Sequence, residues 1–493
     1  MDQGPGFDAD RHVPPARHAK KVREWVVTAL AAVALVTVAV LQRPEGPDPA
    51  KLAEARAGIT VEPVSVDPLV AIGKAMLWWK WKRTDADPAV MQRIDEMAHT
   101  AADKFRAAVV AGEFVDDVAR EDRFETLEER LAPESVLRQD IAAVRMMRAG
   151  DLGQSPRPDM IEGLKERHGW FARVAMLGQD GAADAALTDE TERHGVRVLL
   201  VLVGLFGGVV AGVGAGVAAL IVLIVRAATG NLRGRFVRTP PEMGSDRALW
   251  LETFAVFLVG FLLVHVAGAG LKVVAAPEAS WPAAAVLLMQ WGLAGVIFWP
   301  RLRGMSRERF LGELGWHRGR GVMREMGAGV LGYLAGLPVY FAVAVMVAVV
   351  SMLADLVRKA GGQGGEDVPL PDNKVFDLVG HAGGWMLVLL ASLIVVWAPL
   401  VEESIFRGAL FRHIRGRLGG AWGLVASVGI VAAAFAVAHS YVLAGVVMVA
   451  TLGAMFSLMR EWRGSLIAPM TAHCMHNSLV LMVLVSLLPA MRG

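Results

Sequence analysis

Apolar residues in this chain fall in long uninterrupted runs, not in the narrow stripes of a soluble fold. Runs near residues 25–41, 196–225, 249–270, 281–299, 325–354, 380–401, 421–439, 441–459 and 465–489 each approach the ~20 residues a helix needs to cross a bilayer. Lipid offers no partner to backbone polar groups, so an open chain crosses it as helix. The pattern predicts an all-α fold, a polytopic membrane helix bundle of about nine transmembrane helices.

Residues 42–195 break the pattern. Mixed charges alternate with helix-period stretches near 89–110 and 124–147, punctuated by Pro63, Pro68 and Pro133. This predicts a soluble α-helical domain inserted after the first helix. Trp78, Trp79 and Trp81 lie among Lys80, Lys82 and Arg83. They suit either a belt at a membrane surface or the core of a helical hairpin. The expected organisation is a basic cytoplasmic tail (1–24), an anchor helix (25–41), an extracytoplasmic helical domain (42–195), membrane helices of the bundle (196–375) and a catalytic membrane core (376–493). The first run is long and no A-x-A site follows it, which favours a retained anchor over a cleaved signal.

Composition agrees with a membrane protein: 54% of the 493 residues are hydrophobic and mean hydropathy is +0.45. A net charge of +2 implies no nucleic-acid partner; the partners expected are the lipid bilayer and a peptide or protein substrate. Arginines cluster in alternate loops, five in 226–248, seven in 301–324, four in 407–417 and two in 460–463. By the positive-inside rule the amino terminus is inside and the carboxyl terminus outside. This suits the cytoplasmic membrane of a bacterium. The single cysteine, Cys474, excludes an internal disulfide and a CxxC metal knuckle. Small residues between 204 and 216 favour close helix packing in lipid and do not form a phosphate loop.

Candidate chemistry centres on residues 399–407, PLVEESIFR, at the end of an apolar run. Charge inside a membrane helix is costly and marks function by default. On a helix Arg407 lies over Glu403, while Glu402 points roughly 100° away. Glu403 would then be a paired anion and Glu402 would be free. The same residues also suit a helix end that emerges at the cytoplasmic surface with an ordinary Glu/Arg ladder. Downstream apolar runs carry Phe435 with His439, then His473 with Asn477.

In this order, EExxxR, FxxxH and HxxxN resemble the CAAX protease and bacteriocin-processing family of intramembrane endopeptidases, which includes the Ras-converting prenyl-protein protease. The resemblance covers roughly residues 380–490. It implies that Glu402 activates water and that His439, His473 and Asn477 share its pocket. From the residues themselves, a desolvated carboxylate suits a general base, Arg407 would offset the burial of Glu403, and His473 with Asn477, on one helical face, suit an oxyanion site. The family is often classed as metalloendopeptidase, and Glu402, His439 and His473 would make a three-ligand zinc site with one open position. HExxH is absent, and the reading leans to no tightly bound zinc. Straight helices would put His439 about 25 Å and His473 about 12 Å from the cytoplasmic face, so convergence requires tilt, a late helix start after Gly416 to Gly420, or bends at Pro399 and Pro469. The alternative function is a non-enzymatic transporter or immunity-type binding protein that uses the same polar groups. The 42–195 domain carries no catalytic set, and a partner for it is expected but not identified.

Overall fold

The computed structural model describes residues 15–41, 48–64, 66–83, 89–149, 156–231, 247–276, 279, 281–358, 360–361, 378–380, 382–439 and 443–492. The first fourteen residues of the basic tail, and Arg233, Arg235 and Arg238 of the second basic loop, lie outside them. Among the described residues there are nine helices long and apolar enough to cross a membrane, and no strands. The protein is an all-α polytopic membrane protein.

Eighteen helices are numbered here in chain order. α1 spans Pro15–Leu41. Eight shorter helices follow: α2 Pro49–Arg56, α3 Pro68–Lys82, α4 Ala89–Met97, α5 Ala101–Phe114, α6 Asp117–Glu128, α7 Val136–Arg148, α8 Pro158–His168 and α9 Trp170–Ala175. The membrane helices resume with α10 Gly181–Ala228, α11 Arg247–Val274 and α12 Trp281–Leu302. Short α13 Arg307–Leu314 precedes α14 Val322–Arg358. Then come α15 Gly384–Arg415, α16 Gly420–Val437, α17 Leu443–Arg463 and α18 Ile467–Met491. The chain divides into two compact units. One is Met1–Arg43, Gly212–Val349 and Val388–Ser478; the other is Pro44–Ala211, Val350–Leu387 and Leu479–Gly493.

In the second unit, side-chain caps start the short helices where the sequence supplies them. Thr100 and Asp103 form a reciprocal capping box on α5, and Asp67 caps α3 ahead of Pro68 at its first turn. The helices bury a core that includes Phe105, Phe114, Phe124, Trp170 and Phe171. In the tryptophan cluster, Trp81 packs against this core, whereas Trp79 is 41% exposed with Arg83 over its ring at 4.7 Å. The carboxyl end is tied in by backbone. Val66 bridges Arg492 antiparallel, and the Asp67 N–H donates to the Met491 carbonyl at 2.9 Å. Buried Lys74 donates to the Arg492 carbonyl at 2.9 Å and pairs with Glu190 at 2.9 Å. The expected domain edge near 195 falls inside α10, which runs unbroken from charged turns at Asp189–Arg193 into the apolar stretch.

In the first unit, the arginine-rich loops meet. The Glu313 carboxylate receives Arg309 at 2.7 Å, Arg412 at 3.3 Å and the Trp250 indole N–H at 2.8 Å. Arg460 donates to the Glu313 and Leu314 carbonyls at 3.2 Å. Arg463 grips Glu325 through two bonds of 2.7 Å, and Arg415 pairs with Glu461 at 3.0 Å. Close packing between membrane helices depends on a missing side chain at Gly216, where a Cβ would come within 2.3 Å of the Leu334 carbonyl on α14.

Asp140 is the buried hub of the α5–α8 layer. It accepts from Arg167 Nε at 3.0 Å and from His168 Nε2 at 3.1 Å. Burial alone would push its carboxyl up, but the His168 and Arg167 hydrogen bonds outweigh burial and hold it below the usual value. Burial holds the His168 imidazole below its usual value, against the pull of Asp140. Both shifts favour the folded layer at neutral pH. The His168 contribution is lost first, as pH falls below about 6.5 and the unfolded chain takes up a proton that the folded one refuses; the Asp140 contribution is lost below about pH 4. Thermal unfolding followed against pH should therefore show a two-stage loss of stability, with the upper stage absent in His168→Gln. Asp140→Ala should cost about 3–5 kcal/mol at pH 7, because it strands buried donors.

Candidate active site

The helix that carries the glutamates is not uniformly α. Within α15, Gly384–Ser392 is α-helical, Leu393–Trp397 is π-wound, Ala398–Glu402 returns to α, Glu403–Leu410 is again π-wound, and Phe411–Arg415 closes as α. Such π turns are rare and frequent at functional sites. The second one lies tight against α13: a Cβ on Gly408 would meet Leu314 Cδ1 at 2.6 Å. The Trp316 indole N–H donates to Ser404 Oγ at 3.0 Å, so the loop after α13 reaches the same turn.

Glu403 and Arg407 are fully buried, each at 0% exposure. Arg407 Nη1 donates to Glu403 Oε1 at 2.9 Å, and Nη2 donates to the Gly453 carbonyl on α17 at 3.1 Å. The guanidinium lies over the ring of Phe435 at 4.3 Å and that of Phe456 at 5.3 Å. His473 Nδ1 donates to the same Glu403 oxygen at 2.9 Å, and its ring stacks on Phe456 at 5.1 Å. Glu403 is thus a doubly held anion, and it fixes which nitrogen of His473 carries the proton.

Glu402 faces the other way, as its place on the helix predicts. Its Oε2 is 3.8 Å from His439 Nε2 and 3.9 Å from His473 Nε2. It is buried without a hydrogen-bond partner. His439 Nδ1 donates to the Phe435 carbonyl at 2.6 Å, which leaves Nε2 turned toward Glu402. Separations of this size are too long for direct hydrogen bonds and suit one bridging water. The depth conflict in the sequence disappears here: His439, just past the end of α16, and His473, in the second turn of α18, reach one carboxylate oxygen.

Asn477 is placed differently. Its Nδ2 donates to the Ile394 carbonyl at 2.8 Å, in the first π turn. His476 is 3.3 Å from the Tyr333 hydroxyl, and Cys474 Sγ is 3.9 Å from Ser478 Oγ. Three contributors carried no signal in the sequence: Gly453 and Phe456 on α17, and Ser404 beneath Trp316. Glycine, phenylalanine and serine at helical spacing are ordinary packing residues.

Glu402, His439 and His473 bring together one carboxylate oxygen and two imidazole nitrogens, the donor types of a catalytic zinc site, with the nitrogens 3.8 and 3.9 Å from Glu402 Oε2. Ligands sharing a tetrahedral zinc at ~2.0–2.1 Å sit ~3.4 Å apart, less than the separations seen. Among the described residues no group of three His, Cys, Asp or Glu is drawn together as a metal ion requires.

Residues 384–479 match the family model of the type II CAAX prenyl endopeptidase, Rce1-like. This segment is Rce1-like. No curated protein and no solved structure matches the chain. The Rce1-like segment spans α15 to the middle of α18, and so contains Glu402, Glu403, Arg407, His439, His473 and Asn477. The match supports a CAAX-protease-like peptidase activity for this segment, a class whose substrates are peptides or proteins. Residues 1–383 lie outside the match.

The buried pair at the centre should be intolerant of change. Arg407→Ala would leave Glu403 buried beside His473 alone, and a loss of about 3–5 kcal/mol is expected. Arg407→Lys keeps the charge but loses the fork that spans Glu403 and Gly453, and should fall between the alanine variant and wild type. Thermal unfolding of the detergent-solubilised variants measures both.

Proposed function

We propose that the Rce1-like segment hydrolyses peptide bonds in or beside the membrane with a water activated by Glu402. The observation that carries this reading is the buried, partnerless Oε2 of Glu402, flanked at 3.8 and 3.9 Å by two imidazole nitrogens. A water between them would donate to Glu402 and be oriented by His439. Glu402 takes its proton as the oxygen attacks the scissile carbonyl. His473, with Nδ1 bonded to Glu403, presents Nε2 to Glu402 at 3.9 Å; Nε2 takes the proton from Glu402 and passes it to the leaving amine nitrogen as the C–N bond breaks. Arg407 holds Glu403 through the Nη1–Oε1 bond of 2.9 Å.

The meeting of Arg309, Arg412 and Arg460 around Glu313 supports an orientation with these loops on the cytoplasmic side and the 42–195 segment outside. Bacterial cytoplasmic membrane is the location that this orientation suits.

In reconstituted protein offered candidate membrane peptides, Glu402→Gln should reduce cleavage by about 10²–10⁴-fold with folding intact, the range that a general base supplies. Undiminished cleavage by that variant would remove the mechanism. Cleavage should also survive exhaustive chelation, with no zinc found by elemental analysis; activity lost to a chelator and restored by zinc would replace this scheme with a metal-centred one.

A further inference from the structure

The first π turn of α15 ends on a bond from the Ala398 N–H to the Leu393 carbonyl, five residues back. The next bond in that register would run from residue 399 to the Ile394 carbonyl. Residue 399 is proline, which has no N–H to give. In a membrane helix no solvent replaces the missing donor, and a bare carbonyl is costly. The donor that reaches Ile394 is the side-chain amide of Asn477, at 2.8 Å, from a helix 83 residues further along the chain.

We propose that Asn477 is the hydrogen-bond donor that Pro399 lacks, a positioning residue that holds the π register of α15 and through it the direction of Glu402. A π turn accommodates one extra residue, and each residue turns an α-helix by roughly 100°. If Leu393–Trp397 relaxed to α geometry, Glu402 and Glu403 would rotate by about that angle relative to the helix before them, away from His439 and His473. The clamp sits four residues after His473 on α18, so one turn of that helix fixes both the imidazole and the backbone that aims its partner. The consequence for catalysis rests on Glu402 as the base; the clamp itself does not.

A double-mutant cycle on the full-length protein separates the two. Thermal unfolding in detergent is read for wild type, Asn477→Ala, Pro399→Ala and the pair, and cleavage is read in parallel. Pro399→Ala restores an N–H at position 399, so Asn477→Ala should lower the midpoint when made in wild type and have little effect when made in the Pro399→Ala variant. Cleavage should follow: Asn477→Ala loses about a hundredfold in kcat with KM little changed, and the pair regains the activity of Pro399→Ala. Asn477→Asp, which turns an acceptor toward the carbonyl, should be as damaging as Asn477→Ala. Equal cost of Asn477→Ala in both backgrounds overturns the proposal, as does a Pro399→Ala protein that does not fold, since the proline would then do more than withhold a donor. An intact stability cycle in a protein that cleaves nothing keeps the clamp and removes the peptidase mechanism.

Discussion

A carboxylate buried in a membrane bundle must be neutralised where it stands, and the arrangement around Glu403 follows from that. One oxygen accepts from Arg407 at 2.9 Å and from His473 at 2.9 Å. Arg407 in turn is sandwiched by Phe435 and Phe456 and bonded to the Gly453 carbonyl. A single anion therefore ties together four helices, α15 through α18. In a medium of low dielectric these bonds are strong when complete and expensive when broken. That stringency orients His473, whose Nε2 then lies 3.9 Å from Oε2 of Glu402, the residue before Glu403, with His439 Nε2 at 3.8 Å from the same oxygen.

The backbone of α15 serves the same end. One π turn precedes Glu402 and a second begins at Glu403, and each is supported from outside the helix, the first by the Asn477 amide and the second by close contact of Gly408 with α13 and by Trp316 on Ser404. Irregular helix inside a membrane is tolerated only where neighbouring elements satisfy it. Here the neighbours are α18 and α13 with the loop after it; α13 also carries Glu313, which receives Arg309 and Arg412.

The remaining unit has a different logic. Its helices between residues 49 and 175 have an aromatic core of their own and a buried charge hub at Asp140. The end of α18 is fastened to that unit by Val66 and Lys74. Among its described residues no cluster resembles the pocket in α15–α18.

Hydrophobic run length by itself determined the nine spans, because a helix that crosses lipid has a fixed minimum length and no other way to satisfy its backbone. Helical spacing also determined that Arg407 meets Glu403 and that Glu402 faces elsewhere, since neighbours on one helix are set by local geometry. Tertiary structure decided the rest. That His439 and His473 reach the same oxygen depends on where α16 ends and α18 begins, and straight-helix arithmetic had set them at different depths. That Asn477 turns to the Ile394 carbonyl depends on a π turn, and α-helical spacing could not register one. That Gly453 and Phe456 complete the site depends on which face α17 presents, and residues without charge leave no mark in a sequence until another helix is packed against them.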